Sequence, residues 1–119
     1  MPSYKFTIHG IPPTVNTYWR RNGHRYFISK AGIDYKRLWA LQAPRIAKKV
    51  SESVELNIVW FRPDKRRRDA DNVLKPILDC LSDTMLEDDS LVDILRIDKS
   101  PSPDKINPRI EIALSTIED

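Results

Sequence analysis

The run VELNIVWF at residues 54–61 passes through RPDKRRRDADN at 62–72 into VLKPILDCL at 73–81. Val54, Leu56, Ile58 and Trp60 alternate with Glu55 and Asn57, the period of a strand with one buried face. Leu74, Ile77, Leu78 and Leu81 then recur at i, i+3, i+4 and i+7, the period of an amphipathic helix. Pro76 fixes where that helix begins, since proline is tolerated in a first turn and not deeper. Asp71 or Asn72 can cap it. The strand therefore delivers the chain to four consecutive cations, and the helix leaves from an Asp-x-Asp.

Outward from this block the chain supplies the rest of an α+β domain. Residues 4–9 alternate as a strand and stop at Gly10 and Pro12-Pro13. A polar, aromatic loop from Asn16 to Arg25 follows, with a short strand expected at 26–28. Ser29 is a natural cap for a helix over about 30–50, with Tyr35, Leu38, Trp39 and Ile46 on one side and a kink or break at Pro44. Residues 92–97 and 109–114 read as a closing pair of strands joined by a loop rich in proline. The expected fold is a single domain over residues 1–119, a small mixed sheet of four to five strands packed against two main helices.

The charged block carries the chemistry. Asp69 and Asp71 are two residues apart, so in an extended segment both carboxylates point to one side and could hold one ion. Glu87-Asp88-Asp89 follows 16 residues after Asp71. Carboxylates that converge make a hard, oxygen-rich site suited to Mg²⁺, and the cations before them suit a phosphate-bearing substrate. Metal-assisted phosphodiester chemistry follows from that pairing, at a helix N-terminus whose partial positive charge also favours phosphate. On the helix, Asn72, Lys75 and Asp79 share the face opposite the apolar stripe. The competing reading is plain: arginines beside aspartates also form solvated surface pairs, and Asp79 fixes Lys75 through an i, i+4 pair.

Composition narrows the class. The 119 residues carry a net charge of +3, but residues 1–51 hold ten Lys or Arg against the single acid Asp34, and the remainder is acidic. A basic half beside a carboxylate-rich half suits a protein that holds and cuts nucleic acid. In the aromatic loop, Tyr18 and Trp19 lie among Asn16, Arg20 and Arg21, a mixture suited to stacking on unpaired bases and holding phosphates, or to packing at the edge of the core. The lone Cys80 excludes an internal disulfide and a cysteine zinc site, and reads as a small buried residue. No signal-like or membrane-spanning apolar run is present, so a cytoplasmic, membrane-free location is expected. His9 and His24 read as structural or solvated.

Pro12-Pro13 with Asn16 and Tyr18, then Arg66-Arg67-Arg68-Asp69-x-Asp71-Asn72-x-x-Lys75, Asp79 and Asp88-Asp89, make the sequence similar to the RusA family of Holliday-junction resolvases. The resemblance runs over most of the chain. It implies a small homodimeric α+β endonuclease, often prophage-borne, that cuts branched DNA at four-way junctions during recombination and repair by paired symmetric strand cleavage. It implies Mg²⁺ as cofactor, with Mn²⁺ as substitute. By matching position, Asp69, Asp71 and Asp89 correspond to the catalytic, metal-holding carboxylates and Lys75 to the essential lysine. Asp88 is a further candidate metal ligand or supports the ligands from outside. Arg66, Arg67, Arg68, Arg20, Arg21, Asn16, Tyr18 and Asn72 are the candidate DNA contacts. Two rivals stand beside this: a metal-dependent nuclease acting on flaps or single strands, and a non-catalytic junction-binding protein whose aspartates only neutralise its arginines.

Overall fold

The computed structural model describes residues 3–117. In chain order the elements are β1 (Ser3–His9), α1 (Val15–Tyr18), β2 (Trp19–Asn22), β3 (Arg25–Ile28), α2 (Lys30–Gln42), β4 (Val54–Phe61), α3 (Leu74–Thr84), β5 (Val92–Lys99) and β6 (Arg109–Thr116), with 3-10 turns at Ala70–Val73 and Asp89–Leu91. The main sheet has the order β1-β6-β4-β5, and β2 with β3 forms a separate two-stranded hairpin. This is the expected α+β class, with four strands in the sheet and two main helices.

Alternation along β4 and β6 sets the layers. Val54, Leu56, Ile58 and Trp60 are buried while their neighbours are half-buried, and Ile110, Ile112 and Leu114 repeat the pattern on β6. Their common face meets Tyr35 and Trp39 of α2 and Ile77, Cys80 and Leu81 of α3 in one hydrophobic core. Trp39 also donates its indole N–H to Thr84 Oγ1 at 3.0 Å, which fixes α2 against the end of α3.

Strands β5 and β6 do not pair with each other. Both flank β4, β5 parallel and β6 antiparallel. Two parallel neighbours need a long crossover, and α3 supplies it. The whole charged block, from the end of β4 to the start of β5, is therefore the crossover of a β-α-β unit.

Three local expectations change. The break expected at Pro44 is a full stop: the first long helix ends at Gln42 and does not resume toward 50, because the residue before a proline is driven out of helical backbone, and Ala43, ahead of Pro44, has ψ 150°. Ile46, expected on that helix face, lies beyond it but still packs on the core. The aromatic loop is ordered as α1 and the β2–β3 hairpin, whose turn has Gly23 at φ 65°, a conformation glycine adopts without steric cost. Neither Asp71 nor Asn72 caps α3. The 3-10 turn feeds the helix directly, and no side-chain cap bond is made at its start.

Candidate active site

The basic run is organised by an acid. Asp64 accepts a hydrogen bond from the Arg66 backbone N–H at 2.9 Å and pairs with the guanidinium of Arg68 four residues on. The Arg68 hydrogen bond, with the Arg66 amide, lowers the Asp64 carboxyl pKa to about 2. Arg66 Nε also lies 3.8 Å from Asp64. From the sheet side, Lys99 Nζ donates to the Arg68 carbonyl at 2.7 Å, and Arg62 donates to the Ser100 carbonyl. The turn between β4 and α3 is thus tied down by residues that flank the arginines.

That arrangement frees Asp69 and Asp71. Asp69 precedes the 3-10 turn in extended backbone and Asp71 lies within it, both exposed. Among the described residues neither forms a salt bridge, nor does Arg67. Thr14, Trp60, Arg67, Arg68, Asp69 and Asn72 line a shallow cleft of about 370 Å³. Arg67 and Asp69 stand together there, neither in a salt bridge among the described residues, beside an Arg68 that is held by Asp64.

Lys75, on the first turn of α3, reaches two acids: its Nζ is 3.0 Å from Asp79 Oδ1 and 3.8 Å from Asp89 Oδ2. The Asp79 hydrogen bond leads in raising its pKa, with the charges of Asp79 and Asp89 adding to it, so the amine stays protonated. Asp89 opens the 3-10 turn after α3, and Asp88 caps that turn by accepting from the Ser90 N–H at 2.9 Å. That bond lowers the Asp88 pKa and gives this side chain a structural task. Glu87 is exposed nearby.

The structure corrects one assignment outright and reshapes another. Tyr18 is fully buried and cannot stack on DNA. Its ring packs edge-on to Trp19 at 5.2 Å and against α2, where a Cβ on Gly32 would come within 2.9 Å of it. Its hydroxyl has no hydrogen-bond partner among the described residues, yet is close enough to Asp79 for that charge to add to burial in raising the phenol pKa. The second change concerns the carboxylates. Among the described residues no three His, Cys, Asp or Glu side chains stand together as a ready metal shell. Like charges repel, and the nearby ammonium of Lys75 draws Asp79 and Asp89 toward itself. The donor set nevertheless fits Mg²⁺ chemically: Asp69, Asp71 and Asp89 offer only hard carboxylate oxygens.

Of the remaining candidates, Asn16, Arg20 and Arg21 are exposed on α1 and β2, and line a separate groove with Val15, Trp19 and Tyr26. His9 bonds Asn107 through Nδ1 at 2.8 Å, a structural role, and His24 is exposed. Cys80 is buried. Sequence reasoning missed Asp64, Thr14, Trp60, Tyr26 and Lys99. Only Asp64 left a readable trace, as an acid four residues before Arg68.

A model of the family described as endodeoxyribonuclease RusA matches residues 10–115. The crossover junction endodeoxyribonuclease of Enterobacteria phage HK97 is 35% identical over 100 residues, covering 82% of each chain. The proteins of the same name from Shigella sonnei and Escherichia coli K12 are 34% and 33% identical over 109 residues, covering 85% of this chain and 86% of theirs. The matched span holds the basic turn, the Asp-x-Asp, Lys75 and Asp88-Asp89, together with every strand of the sheet except β1 and the last residue of β6, and so the chain belongs to the RusA family of endodeoxyribonucleases.

Proposed function

We propose that the protein is a Mg²⁺-dependent endonuclease, with Mn²⁺ as substitute, that resolves four-way DNA junctions by paired symmetric cleavage as a two-fold homodimer. The observation that carries this is the pairing of Arg66 and Arg68 with Asp64, which leaves Asp69 and Asp71 without a salt bridge among the described residues at the head of α3. A non-catalytic binder whose aspartates serve to neutralise arginines requires the opposite pairing. The names of the relatives supply the junction as substrate.

Asp69, Asp71 and Asp89 would hold the ion, whose chemistry at this place is Lewis acidity toward a phosphodiester and activation of water. Lys75, kept protonated beside Asp79, offsets charge that grows on the phosphate oxygens as the water oxygen bonds to phosphorus and the P–O bond opposite breaks. Arg67, exposed and without a salt bridge among the described residues, contacts a backbone phosphate and positions the strand without reading its bases. One chain holds one such cluster, so symmetric cleavage of two strands requires a second copy, related by the two-fold of the junction.

The test is cleavage of a mobile four-way junction, with duplex, flap and single-stranded controls, with and without Mg²⁺. Junction cleavage that needs the metal is expected. Asp71→Asn should abolish it while junction binding persists or tightens, because loss of a negative charge lessens repulsion of DNA. Lys75→Ala should lower the rate more than the affinity, and Arg67→Ala should weaken binding and reduce the salt slope by about one. Full activity in Asp71→Asn would refute the assignment.

A further inference from the structure

We infer that the groove between α1 and the β2–β3 hairpin is a subsite for one unpaired nucleobase, placed next to the strand phosphate held at the carboxylate cleft; this rests on the reading of the protein as a DNA endonuclease. The hairpin register pairs Trp19 with Ile28 and Arg21 with Tyr26, so all four share one face. That face is rooted at one end, where Ile28 approaches Gly32 of α2 and Trp19 packs on Tyr18, and it projects into solvent at the other. At the projecting end Tyr26 is 67% exposed, a large aromatic ring that adds nothing to the core.

Arg21 is fixed beside that ring. Its Nε donates to the Gly23 carbonyl at 2.7 Å, its guanidinium carbon stands 5.7 Å from the Tyr26 centroid, and it makes no salt bridge among the described residues. The groove therefore offers an exposed aromatic ring with a guanidinium lying over it, two planar groups that hold a base by stacking and a cation that holds its phosphate by charge. Its volume of about 550 Å³ is within the range of small-ligand sites.

Continuity with the carboxylate cleft gives the occupant its identity. Thr14 lines that cleft, and the next two residues, Val15 and Asn16, line the groove. Helix α1 touches both the 3-10 turn of Asp71 and α3. A strand with a phosphate at Arg67 and Arg68 thus meets the Thr14–Asn16 ridge, and its neighbouring nucleotide falls on the far side. The ridge and the hairpin stand on either side of the groove, and the exposed Tyr26 ring is open to a base only once that base has left its own stack. Bases at a junction crossover meet that condition at low cost, whereas those of an intact duplex do not. The groove is then a source of structure selectivity, and Tyr26, not the buried Tyr18, carries it.

Binding is measured at matched salt, without divalent ions, to three substrates: a perfect duplex, the same duplex with one unpaired base, and a four-way junction. Tyr26→Ala changes an exposed side chain, and Tyr26→Phe keeps the ring. The expected result is about a tenfold loss for Tyr26→Ala on the bulged duplex and the junction, less than twofold on the perfect duplex, and recovery in Tyr26→Phe. Equal loss on all three substrates would make the groove a phosphate contact only and overturn the inference, as would no loss on any. A wild-type protein that prefers the bulged duplex but not the junction would remove the resolvase reading and leave the base subsite standing.

Discussion

Replacing Asp79 by asparagine separates the positioning of Lys75 from the stability of α3. At 3.0 Å the Lys75–Asp79 pair has a Coulomb energy of about 1.4 kcal/mol in bulk water and about 5.5 kcal/mol at an effective dielectric constant near 20. Lys75 is about half exposed, and measured i, i+4 helix pairs contribute only about 0.3–0.5 kcal/mol, so the small figure governs stability. A domain of this size should lose roughly 1–2 °C in Tm. The kinetic effect is larger. With Asp79 neutral, the ammonium keeps one charged neighbour, Asp89, at 3.8 Å, and swings toward it by on the order of an ångström. Misplacement of that size costs up to about 100-fold in rate, so single-turnover cleavage should fall about 10- to 100-fold with junction affinity little changed. Thermal melting and single-turnover kinetics on one preparation decide it. A fall in Tm beyond about 5 °C with an unchanged rate would show that Asp79 holds the helix and not the lysine.

Tyr18→Phe removes a buried hydroxyl that has no hydrogen-bond partner among the described residues, so stability should hold or rise; a loss above about 1 kcal/mol in chemical denaturation would show that the hydroxyl bonds Asp79 in solution. Burial pushes the Cys80 thiol up to about 12, so a thiol reagent at neutral pH should label denatured protein fully and native protein negligibly; rapid native labelling would contradict the packing of α3. Asp64 has its folded pKa depressed to about 2 from an ordinary 3.8, so its tie to Arg68 is fully present above the ordinary value and is lost as pH falls through about 2. An NMR titration of the Asp64 carboxyl should show that low midpoint, and a midpoint near 3.8 would mean the arginine turn is not organised by this acid.

The fold was legible where burial is one-sided. Strand β4 and helix α3 each expose one face to the core, and a period of two or of 3.6 follows directly, as Trp60 and Leu81 illustrate. Ser29 reported its own role through cap chemistry, accepting from the Gly32 N–H at 3.1 Å. Pro44 announced a helix stop, although periodicity alone carried the helix too far toward residue 50. Strand pairing was less accessible, because adjacency in sequence suggests a β5–β6 hairpin while the sheet places β4 between them. Nothing local in either strand encodes that choice; it depends on where α3 returns the chain.

At the site, local spacing was informative and long-range proximity was not. The Lys75–Asp79 pair follows from four residues on one helix, and the hold of Asp64 on Arg68 joins residues four apart in the irregular turn after β4. The contact of Lys75 with Asp89 depends on the length of α3 and the turn after it, which spacing does not give. Tyr18 shows the limit most clearly. Between Asn16 and two arginines it reads as a surface aromatic, yet Gly32 lets α2 approach so closely that the ring is enclosed. The aromatic left in solvent is Tyr26, placed by hairpin register on the face of Arg21. A composition that favours stacking on DNA therefore identified the right segment, and only the packing of a glycine against a ring determined which aromatic in it remains available to a base.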